Sequence, residues 1–383
     1  MEPRILIMTA GYGEGHNAAA RSLAAAFNED APDTALVVDI FALSCPRLNS
    51  FIRRAYLAAI NGTPRLWKHV YAMMDRPGFM TRGVHMLRPQ AKLLEAIIAR
   101  ERPAAICSTF PAYAAIFQKL ARQGAFDVPH FNIVTDSISI NSVWWRPGCS
   151  GWFVPNEDSA EVMRAAGVDA ARIHVTGFPV PLFFRDNEGV VTRPALSGGA
   201  APRVLYIVNS GTQNAEATAR LLLAQEGWEV TCTVGRDDSL RRALSAAAGG
   251  RRMRADILGW TDQIPRLLMS HHVVVSKAGG ATTQEAIAAR CPMIVNQVVP
   301  GQEEGNCELL LRHSAGALAT TPAAVIAALK GAFERNGRGW EAWHSALGPL
   351  ARPDAARAIA AQVLAHVGRG AGESNAGLSA AVR

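Results

Sequence analysis

Two adjacent glycines, Gly279 and Gly280, stand between an apolar run that starts at Val273 and the segment TTQEAIAAR at 282–290. This order predicts a strand, a tight turn and a helix. Glycines at such a turn let the backbone approach a ligand closely, and the free N–H groups at the start of the helix attract phosphate. The pattern predicts a diphosphate site, although a lone Gly-Gly pair is equally typical of an ordinary tight loop.

Polar side chains follow at positions suited to hydroxyl groups. Glu285 comes five residues after Gly280, about one turn into the predicted helix, where its carboxylate can accept two hydrogen bonds from a ribose diol. Gln302 and Glu303 follow the next apolar run. Because parallel strands end at one edge of a sheet, both side chains return to the edge where such folds bind ligands. Sugar hydroxyls are their natural partners.

A second group of residues lies near the start of the chain. His16 follows Gly13 and Gly15, after the apolar run at 5–10. At a helix start the positive dipole end favours a neutral imidazole, which can take up a proton, but the histidine can also be a helix cap without chemistry. Asp136 follows the apolar run at 131–134, where it can accept a proton, orient His16 or simply cap the next turn.

Length and composition limit the class of protein. A chain of 383 residues exceeds the usual size of one core, so two domains are expected. The six cysteines are scattered without metal-like or disulfide-framework spacing, which indicates a reducing compartment. The first apolar run is too short for a signal peptide, and no run of about 18 apolar residues predicts a spanning helix. We therefore expect a cytoplasmic protein whose membrane contact, if any, is peripheral.

The positive charge is concentrated in one segment. Residues 47–102 carry eleven Lys and Arg against three Asp and Glu, a balance of +8 in a chain whose total is +7. Aromatic residues such as Phe51, Trp67 and Tyr71 are interleaved with these cations. Anionic lipid headgroups attract such cations, and aromatic rings settle at the interface, so this pattern predicts membrane docking. Single-stranded nucleic acid binding and an ordinary solvated helical pair are the alternatives.

These motifs together resemble one family of glycosyltransferases. The segments SKAGG at 276–280, EA at 285–286 and PGQEEGN at 300–306 are similar to the donor-site signature of monogalactosyldiacylglycerol synthases and processive diacylglycerol glucosyltransferases. The segment GEGHNAAA at 13–20 resembles the family's GxGHxxAA element, and TGFPV at 176–180 its TGIPV element. Thr135-Asp136 and Trp144 also match, whereas Asn141 stands where the family has a histidine. Asparagine cannot act as a base, which affects the acceptor chemistry.

The resemblance implies an α/β protein with the GT-B fold, in which two Rossmann-like, doubly wound parallel-sheet domains face a central cleft. We expect an acceptor and membrane-binding domain at 1–185, a linker at 186–202 and a UDP-sugar-binding domain at 203–350. A final helix at 351–367 would cross back to the first domain. The Gly, Ala and Ser-rich tail at 368–383 is expected to be disordered.

The resemblance also implies roles for single residues. The catalytic candidates are His16 and Asp136, with Gly13 and Gly15 in the acceptor loop. Uracil is expected near Gly235-Arg236 and Gly259-Trp260-Thr261, held largely by backbone contacts. The full set of donor-binding candidates is Gly235, Arg236, Gly259, Trp260, Thr261, Gly279, Gly280, Thr282, Glu285, Gln302, Glu303 and Asn306. Neither a metal nor a cofactor is expected, because no DxD-type pair accompanies the donor motif.

The implied reaction is inverting transfer of a hexose from a UDP-sugar to diacylglycerol or a related lipid, on the cytoplasmic face of the membrane. Glucose and galactose are not distinguished, because Gln302 and Glu303 can bind the hydroxyls of either sugar. One alternative is another acceptor, such as a polyprenyl-linked sugar or an existing glycolipid. Others are a UDP-sugar epimerase with the same fold and a sugar-nucleotide-binding protein without catalysis. No nucleic acid partner is expected, and the sequence does not predict an oligomeric state.

Overall fold

A computed structural model describes residues 4–47, 49–52, 54–55, 73, 75, 87–124, 127–209, 214–301 and 303–380. The chain forms two compact units. Met1–Leu182 and Asp354–Arg383 make up the first, and Phe183–Pro353 the second. Each unit contains its own parallel sheet, so that the predicted α/β class and the two doubly wound domains are confirmed.

The sheet of the first unit has six parallel strands in the order β2-β1-β3-β4-β5-β6. β1 is fully buried, because its four apolar residues are covered on both faces, as is usual in a parallel sheet. The pairing of β1 with β3 places Met8 beside Ser108, so the loops after these two strands leave the sheet together. The strands are β1 Ile5–Met8, β2 Ala35–Val38, β3 Ala105–Ser108, β4 His130–Ile133, β5 Gly151–Val154 and β6 Ile173–Val175.

Helices cover both faces of this sheet. The apolar side chains of Leu23 and Phe27 pack with Ile5 and Ile7 of β1 on one face, while Leu94 packs on the other. A short 3-10 helix, Ser142–Trp144, follows β4. The helices of this part of the chain are α1 Glu14–Phe27, α2 Ile40–Ser44, α3 Arg88–Glu101, α4 Ala112–Arg122 and α5 Glu157–Ala165.

The second unit repeats the architecture with the strand order β12-β11-β10-β7-β8-β9, again all parallel. The strands are β7 Arg203–Ile207, β8 Glu229–Thr233, β9 Ala255–Leu258, β10 Val273–Lys277, β11 Met293–Gln297 and β12 Gly316–Leu318. The helices are α6 Phe183–Asp186, α7 Ala215–Leu223, α8 Asp238–Ala248, α9 Ile264–Ser270, α10 Gly280–Ala288, α11 Glu304–Arg312 and α12 Pro322–Ala346. β10 therefore lies in the middle of the sheet, and the Gly279-Gly280 turn leaves from its carboxyl end.

The last helix, α13 Ala355–Ala380, belongs to the first unit. Its apolar residues Ile359 and Val363 join the core formed by β1 and α1. Arg357 Nε donates to Glu29 Oε2 at 2.6 Å, just beyond the end of α1. The helix continues to Ala380, which corrects the expectation of disorder for most of 368–383. Extending an existing helix needs no new nucleus, and the alanines of this segment favour helix.

Residues 186–202, expected to be a linker, contain an arginine anchored within the second unit. Arg193 Nε donates to His271 O at 2.5 Å, and Nη2 donates to Leu268 O at 2.9 Å and Ala289 O at 2.6 Å. These carbonyls lie at the carboxyl ends of α9 and α10. The last carbonyl groups of a helix lack intrahelical hydrogen-bond partners, and the helix dipole there attracts a cation. One half-buried guanidinium thereby ties the ends of two helices to the segment that precedes β7.

We expect Arg193→Met to lower the free energy of unfolding of the second unit by about 3 kcal/mol, because it leaves buried carbonyls without donors. Chemical denaturation followed by circular dichroism measures the effect. Arg185→Met is the matched control, since Arg185 is exposed and forms an exposed ion pair with Glu188 at 3.5 Å. Equal stability of the two variants would contradict the anchoring role.

Candidate active site

The glycine loop after β1 leads directly into α1, and His16 lies in the first turn of this helix. Gly13 adopts φ 149°, a conformation that side chains rarely allow, so a glycine is needed there. The imidazole of His16 is buried, and its Nδ1 lies 2.7 Å from the carbonyl oxygen of Thr109. A carbonyl only accepts, so Nδ1 carries the proton and donates. The neutral ring then has its lone pair on Nε2.

The surroundings of His16 keep its ring neutral. Burial lowers the pKa of His16 to about 4, and the hydrogen bond to Thr109 only partly offsets this effect. Thr135 Oγ1 lies 3.0 Å from the same Nδ1, and the ring of Phe110 meets the imidazole edge-on at 5.1 Å. The imidazole therefore contacts other segments rather than capping its own helix. Its arrangement suits a general base at neutral pH.

Asp136 is held by a tryptophan rather than by His16. Trp144 Nε1 donates to Asp136 Oδ2 at 2.8 Å, and the Trp144 ring lies 6.3 Å from that of His16. Burial raises the pKa of Asp136 to about 6, while the bond from Trp144 lowers it. The hydrogen-bond contacts of the imidazole are with Thr109 and Thr135, so a role of Asp136 in orienting His16 stays a prediction. Asp136 places a titratable carboxylate in the loop after β4.

Asn141 has a structural task at the position where the family has a histidine. Its Oδ1 accepts a hydrogen bond from Val143 N at 3.1 Å and caps the 3-10 helix that contains Trp144. The carbonyl of Trp144 accepts from Asn132 Nδ2 at 3.1 Å and from Trp152 Nε1 at 2.9 Å. The substitution thus supports the turn that directs the indole at Asp136. The sequence did not predict that Trp144 donates a hydrogen bond to Asp136, although the match of Trp144 to the family motif marked it as a residue of interest.

The pKa of Asp136 gives a testable pH dependence. We expect kcat/KM to rise as pH passes about 6, because ionised Asp136 then stabilises positive charge that develops on His16. In Trp144→Phe the hydrogen bond that lowers this pKa is lost, so the acidic limb should move to higher pH. The neighbouring Trp145→Phe is the control and should leave the limb in place. A limb that stays unchanged in Trp144→Phe would show that Asp136 does not control the profile.

The candidate diphosphate site lies at the carboxyl end of β10. Gly279 precedes α10, and no side chain caps the first N–H groups of this helix. Its φ of −67° is ordinary, and the backbone does not itself require glycine. A Cβ atom at Gly279 would lie 3.6 Å from Lys277 Cε and 3.8 Å from Glu303 Oε1. The glycine therefore leaves space beside a cation and a carboxylate.

Glu303 is engaged by its own unit. Its Oε1 accepts from Lys277 Nζ at 2.8 Å, and its Oε2 accepts from Val299 N at 3.0 Å. Asn306 Nδ2 donates to Ala278 O at 3.0 Å, and within the described part of the chain its buried Oδ1 has no hydrogen-bond partner. Glu303 and Asn306 thus hold the loops on either side of Gly279. Sequence reasoning missed Lys277, and Gln302 lies outside the described residues.

The two glycines expected near uracil lie together at the ends of neighbouring strands. Gly235 has φ 60°. A Cβ atom added at Gly259 would lie 3.4 Å from the carbonyl oxygen of Gly235. β8 lies two strands and β9 three strands from β10, so Gly235 lies roughly 10 Å and Gly259 roughly 14 Å along the sheet edge from Gly279. Among the remaining candidates, Arg236 and Trp260 are exposed, and Thr282 and Glu285 are partly buried on α10. The hydroxyl of Thr261 accepts a hydrogen bond from Gln263 N at 3.1 Å.

Neither a metal-binding cluster nor a membrane-spanning helix occurs among the residues that the structure describes. No group of three or more His, Cys, Asp or Glu side chains there could hold a metal ion. In the same residues, no helix combines the length and the apolar character needed to cross a bilayer.

Comparison with known proteins agrees with these motifs. Residues 16–180 match the profile of the family described as monogalactosyldiacylglycerol (MGDG) synthase. A processive diacylglycerol beta-glucosyltransferase of Bacillus cytotoxicus is 26% identical over 368 residues, which are 94% of this chain and 93% of the relative. A second processive diacylglycerol beta-glucosyltransferase, from Bacillus cereus, is 24% identical over 85% of this chain and 84% of its own.

Solved structures share the fold. Os79 from O. sativa in complex with UDP has a TM-score of 0.62 and 12% identity, covering 95% of this chain and 100% of its own. UDP-GlcNAc 2-epimerase from Neisseria meningitidis bound to UDP-GlcNAc has a TM-score of 0.58 and 12% identity, covering 96% and 100%. At such identities they support the GT-B fold and nothing more. In its motifs, in the profile that residues 16–180 match and in the relatives that span nearly its whole length, the chain is similar to the monogalactosyldiacylglycerol synthases and processive diacylglycerol glycosyltransferases.

Proposed function

We propose that the protein is an inverting glycosyltransferase that moves a hexose from a UDP-sugar to diacylglycerol or a closely related lipid. The observation that carries this proposal is His16, a buried imidazole that is held neutral and fixed in one tautomer by Thr109. The proposal is supported by relatives named processive diacylglycerol beta-glucosyltransferases and by the MGDG synthase profile.

His16 Nε2 takes the proton of the acceptor hydroxyl while its oxygen forms a bond to the anomeric carbon of the sugar. The bond from that carbon to the UDP oxygen breaks on the opposite face, so the configuration is inverted. UDP leaves with the bonding electron pair, and the proton later passes from His16 to water. Asp136, ionised above pH about 6, favours the transient imidazolium.

UDP gains negative charge as it leaves, and the chain offers positive groups for it. The N–H groups at the start of α10 and its positive dipole end can stabilise that charge without reorganisation. We propose that Glu285 accepts hydrogen bonds from the ribose hydroxyls, and that Gln302 and Glu303 bind the hydroxyls of the sugar. We propose that neither a metal nor a cofactor takes part.

Membrane docking is part of the proposal. In the described portion of 41–75, four large apolar side chains are exposed: Leu43 is 59% exposed, Phe51 64%, Ile52 42% and Met73 44%. Arg47 and Arg54 lie in the same stretch, while Arg53, Arg65, Lys68, Arg76 and Arg82 lie outside the described residues. Exposed apolar side chains among cations fit an anionic membrane surface. The protein would thus bind peripherally, on the cytoplasmic face, where UDP-sugars are made.

Two alternatives predict different reactions. A polyprenyl-linked sugar or an existing glycolipid as acceptor would use the same base and donor residues. A UDP-sugar epimerase is not favoured, because the epimerase from Neisseria meningitidis is similar only in fold, whereas the relatives along the sequence are transferases. An epimerase would also have no use for an exposed apolar surface beside arginines.

The decisive experiment measures UDP release from UDP-glucose and from UDP-galactose separately, with anionic vesicles that contain or lack diacylglycerol. Release that requires diacylglycerol and gives a lipid-linked hexose supports the proposal and identifies the donor. UDP release without diacylglycerol, or conversion of the free UDP-sugar to its epimer, would contradict it.

The same vesicles test docking. Leu43→Glu and Phe51→Glu should weaken vesicle binding, because a carboxylate is repelled by anionic lipid and cannot enter the apolar region. Val190→Glu is the matched control, since Val190 is 74% exposed and lies in the second unit. Sedimentation at two salt concentrations separates the charge contribution from the apolar one. Undiminished binding of both variants would exclude this surface.

A further inference from the structure

The carboxylate of Asp39 accepts hydrogen bonds from two segments of the first unit, the loop after β1 and the start of α2. Asp39 follows β2, and its Oδ1 accepts a hydrogen bond from Ala42 N at 2.9 Å, which caps α2. Its Oδ2 accepts from Gly11 N at 3.0 Å. Gly11 lies in the loop that leads into α1 and its His16, so one side chain bridges this loop and the start of α2.

A buried phenol makes a second bridge between the same two segments. Tyr113, on α4, donates through its hydroxyl to Thr9 O at 2.7 Å and accepts from Ile40 N at 3.2 Å. Burial, and then the charge of Asp39, raises the pKa of this tyrosine well above its usual value, so the hydroxyl keeps its proton. Two independent side chains thus fix the start of α2 against the loop.

The loop after β1 leads to His16, the proposed base, and α2 leads to the surface proposed to contact the membrane. On one side, Thr9 Oγ1 donates to Asn17 Oδ1 at 2.9 Å, and Thr109 Oγ1 donates to His16 O at 3.1 Å. On the other side, α2 carries Leu43, the first of the exposed apolar residues proposed to meet the membrane. A shift of α2 would therefore reach the His16 loop through Asp39 and Tyr113.

We infer that Asp39 and Tyr113 are positioning residues that couple α2, and through it the lipid-facing surface, to the loop that leads into α1 and His16. They do not touch the reacting groups. Asp39 and Tyr113 fix the position of the His16 imidazole when the exposed apolar surface that begins at Leu43 binds a bilayer. This inference rests on the proposed function, because it takes His16 as the base and the surface after α2 as the membrane contact.

Two substitutions test the coupling. In Asp39→Asn the amide nitrogen cannot accept, so one of the two bonds is lost, while Tyr113→Phe keeps the buried ring and removes both hydroxyl bonds. Each should lower kcat on diacylglycerol vesicles roughly 10- to 100-fold, since small displacements of a catalytic group have effects of this size. The KM for the UDP-sugar and the Kd for UDP should stay unchanged, because the donor candidates lie in the second unit. Asp30→Asn, an exposed neighbour, is the control.

A second measurement does not depend on turnover. Imidazole nitrogen-15 NMR follows the His16 signal, assigned by its loss in His16→Ala. In either variant the pKa of His16 should move up from about 4 towards its ordinary value near 6.5 as the loop loosens and admits water.

The outcomes separate the coupling from the proposed function. If the wild type transfers no sugar to diacylglycerol, the proposed function fails, yet the NMR titration still decides whether Asp39 and Tyr113 hold His16 in place. An unchanged His16 pKa and unchanged kcat in both variants would overturn the inference. A fall in kcat together with weaker UDP binding and a lower melting temperature would also overturn it, since general destabilisation would then explain the loss.

Discussion

His16→Ala should lower kcat for transfer to diacylglycerol about 10²- to 10⁴-fold, the usual contribution of a general base. The acceptor hydroxyl then has to lose its proton to water while it attacks. The affinity for UDP should stay the same, because every donor-binding candidate lies in the second unit and His16 lies in the first. Initial rates on vesicles and calorimetric titration with UDP measure the two quantities on the same preparation.

His174→Ala is the matched control for this change. His174 is another partly buried imidazole of the first unit whose pKa is lowered by burial, but it stacks on Phe153 at 5.1 Å and is far from the glycine loop along the chain. It should retain wild-type kcat. Comparable losses in both variants would indicate damage to the fold, and an unaffected His16→Ala would assign the base to Asp136. A protein that only binds a sugar nucleotide would have no turnover to lose.

Gly279→Ala should keep the stability of the second unit and lose donor affinity about 10- to 100-fold, a loss of roughly 1.4 to 2.8 kcal/mol. The φ of Gly279 allows alanine, and the nearest atoms to the new methyl group would be Lys277 Cε at 3.6 Å and Glu303 Oε1 at 3.8 Å. Both are ordinary contact distances. The methyl group would instead occupy the space through which a diphosphate approaches the helix N-terminus.

Thermal unfolding with and without UDP tests both parts of this prediction in one experiment. The variant should melt at the wild-type temperature when free and show less stabilisation by UDP. Gly331→Ala is the control, because a Cβ there meets nothing within 4 Å. Wild-type UDP affinity in Gly279→Ala would show that the diphosphate does not approach the backbone closely at Gly279. A lower melting temperature without ligand would show that the methyl group strains the fold.

The donor stretch could be predicted because its signals are local. The expected strand, glycine turn, helix and strand correspond to Val273–Lys277, Gly280–Ala288 and Met293–Gln297, since hydrophobic runs and glycines decide such elements within a few residues. The Lys277–Glu303 ion pair could not be predicted in this way. Its partners are 26 residues apart, and their meeting depends on the register of β10 and β11.

The environment of His16 was equally inaccessible to sequence reasoning. The sequence marks His16 as a chemical candidate, but its tautomer depends on the carbonyl of Thr109, 93 residues away. The pairing of β1 with β3 brings the two together. Likewise, nothing in the sequence around Asn141 shows that it caps the turn carrying Trp144, because a cap depends on backbone angles that the sequence leaves open.

The helix α13 has a consequence for the order in which the protein is made. Its Ile359 and Val363 complete the core under α1 and β1, but the ribosome synthesises them only after the whole of the second unit. Until then, the apolar stripe of α1 with Leu23 and Phe27 lacks part of its cover. Domains generally fold as they emerge, yet here the first unit to emerge is the last to close. The core under α1 and β1 is therefore complete only once Ile359 and Val363 have left the exit tunnel.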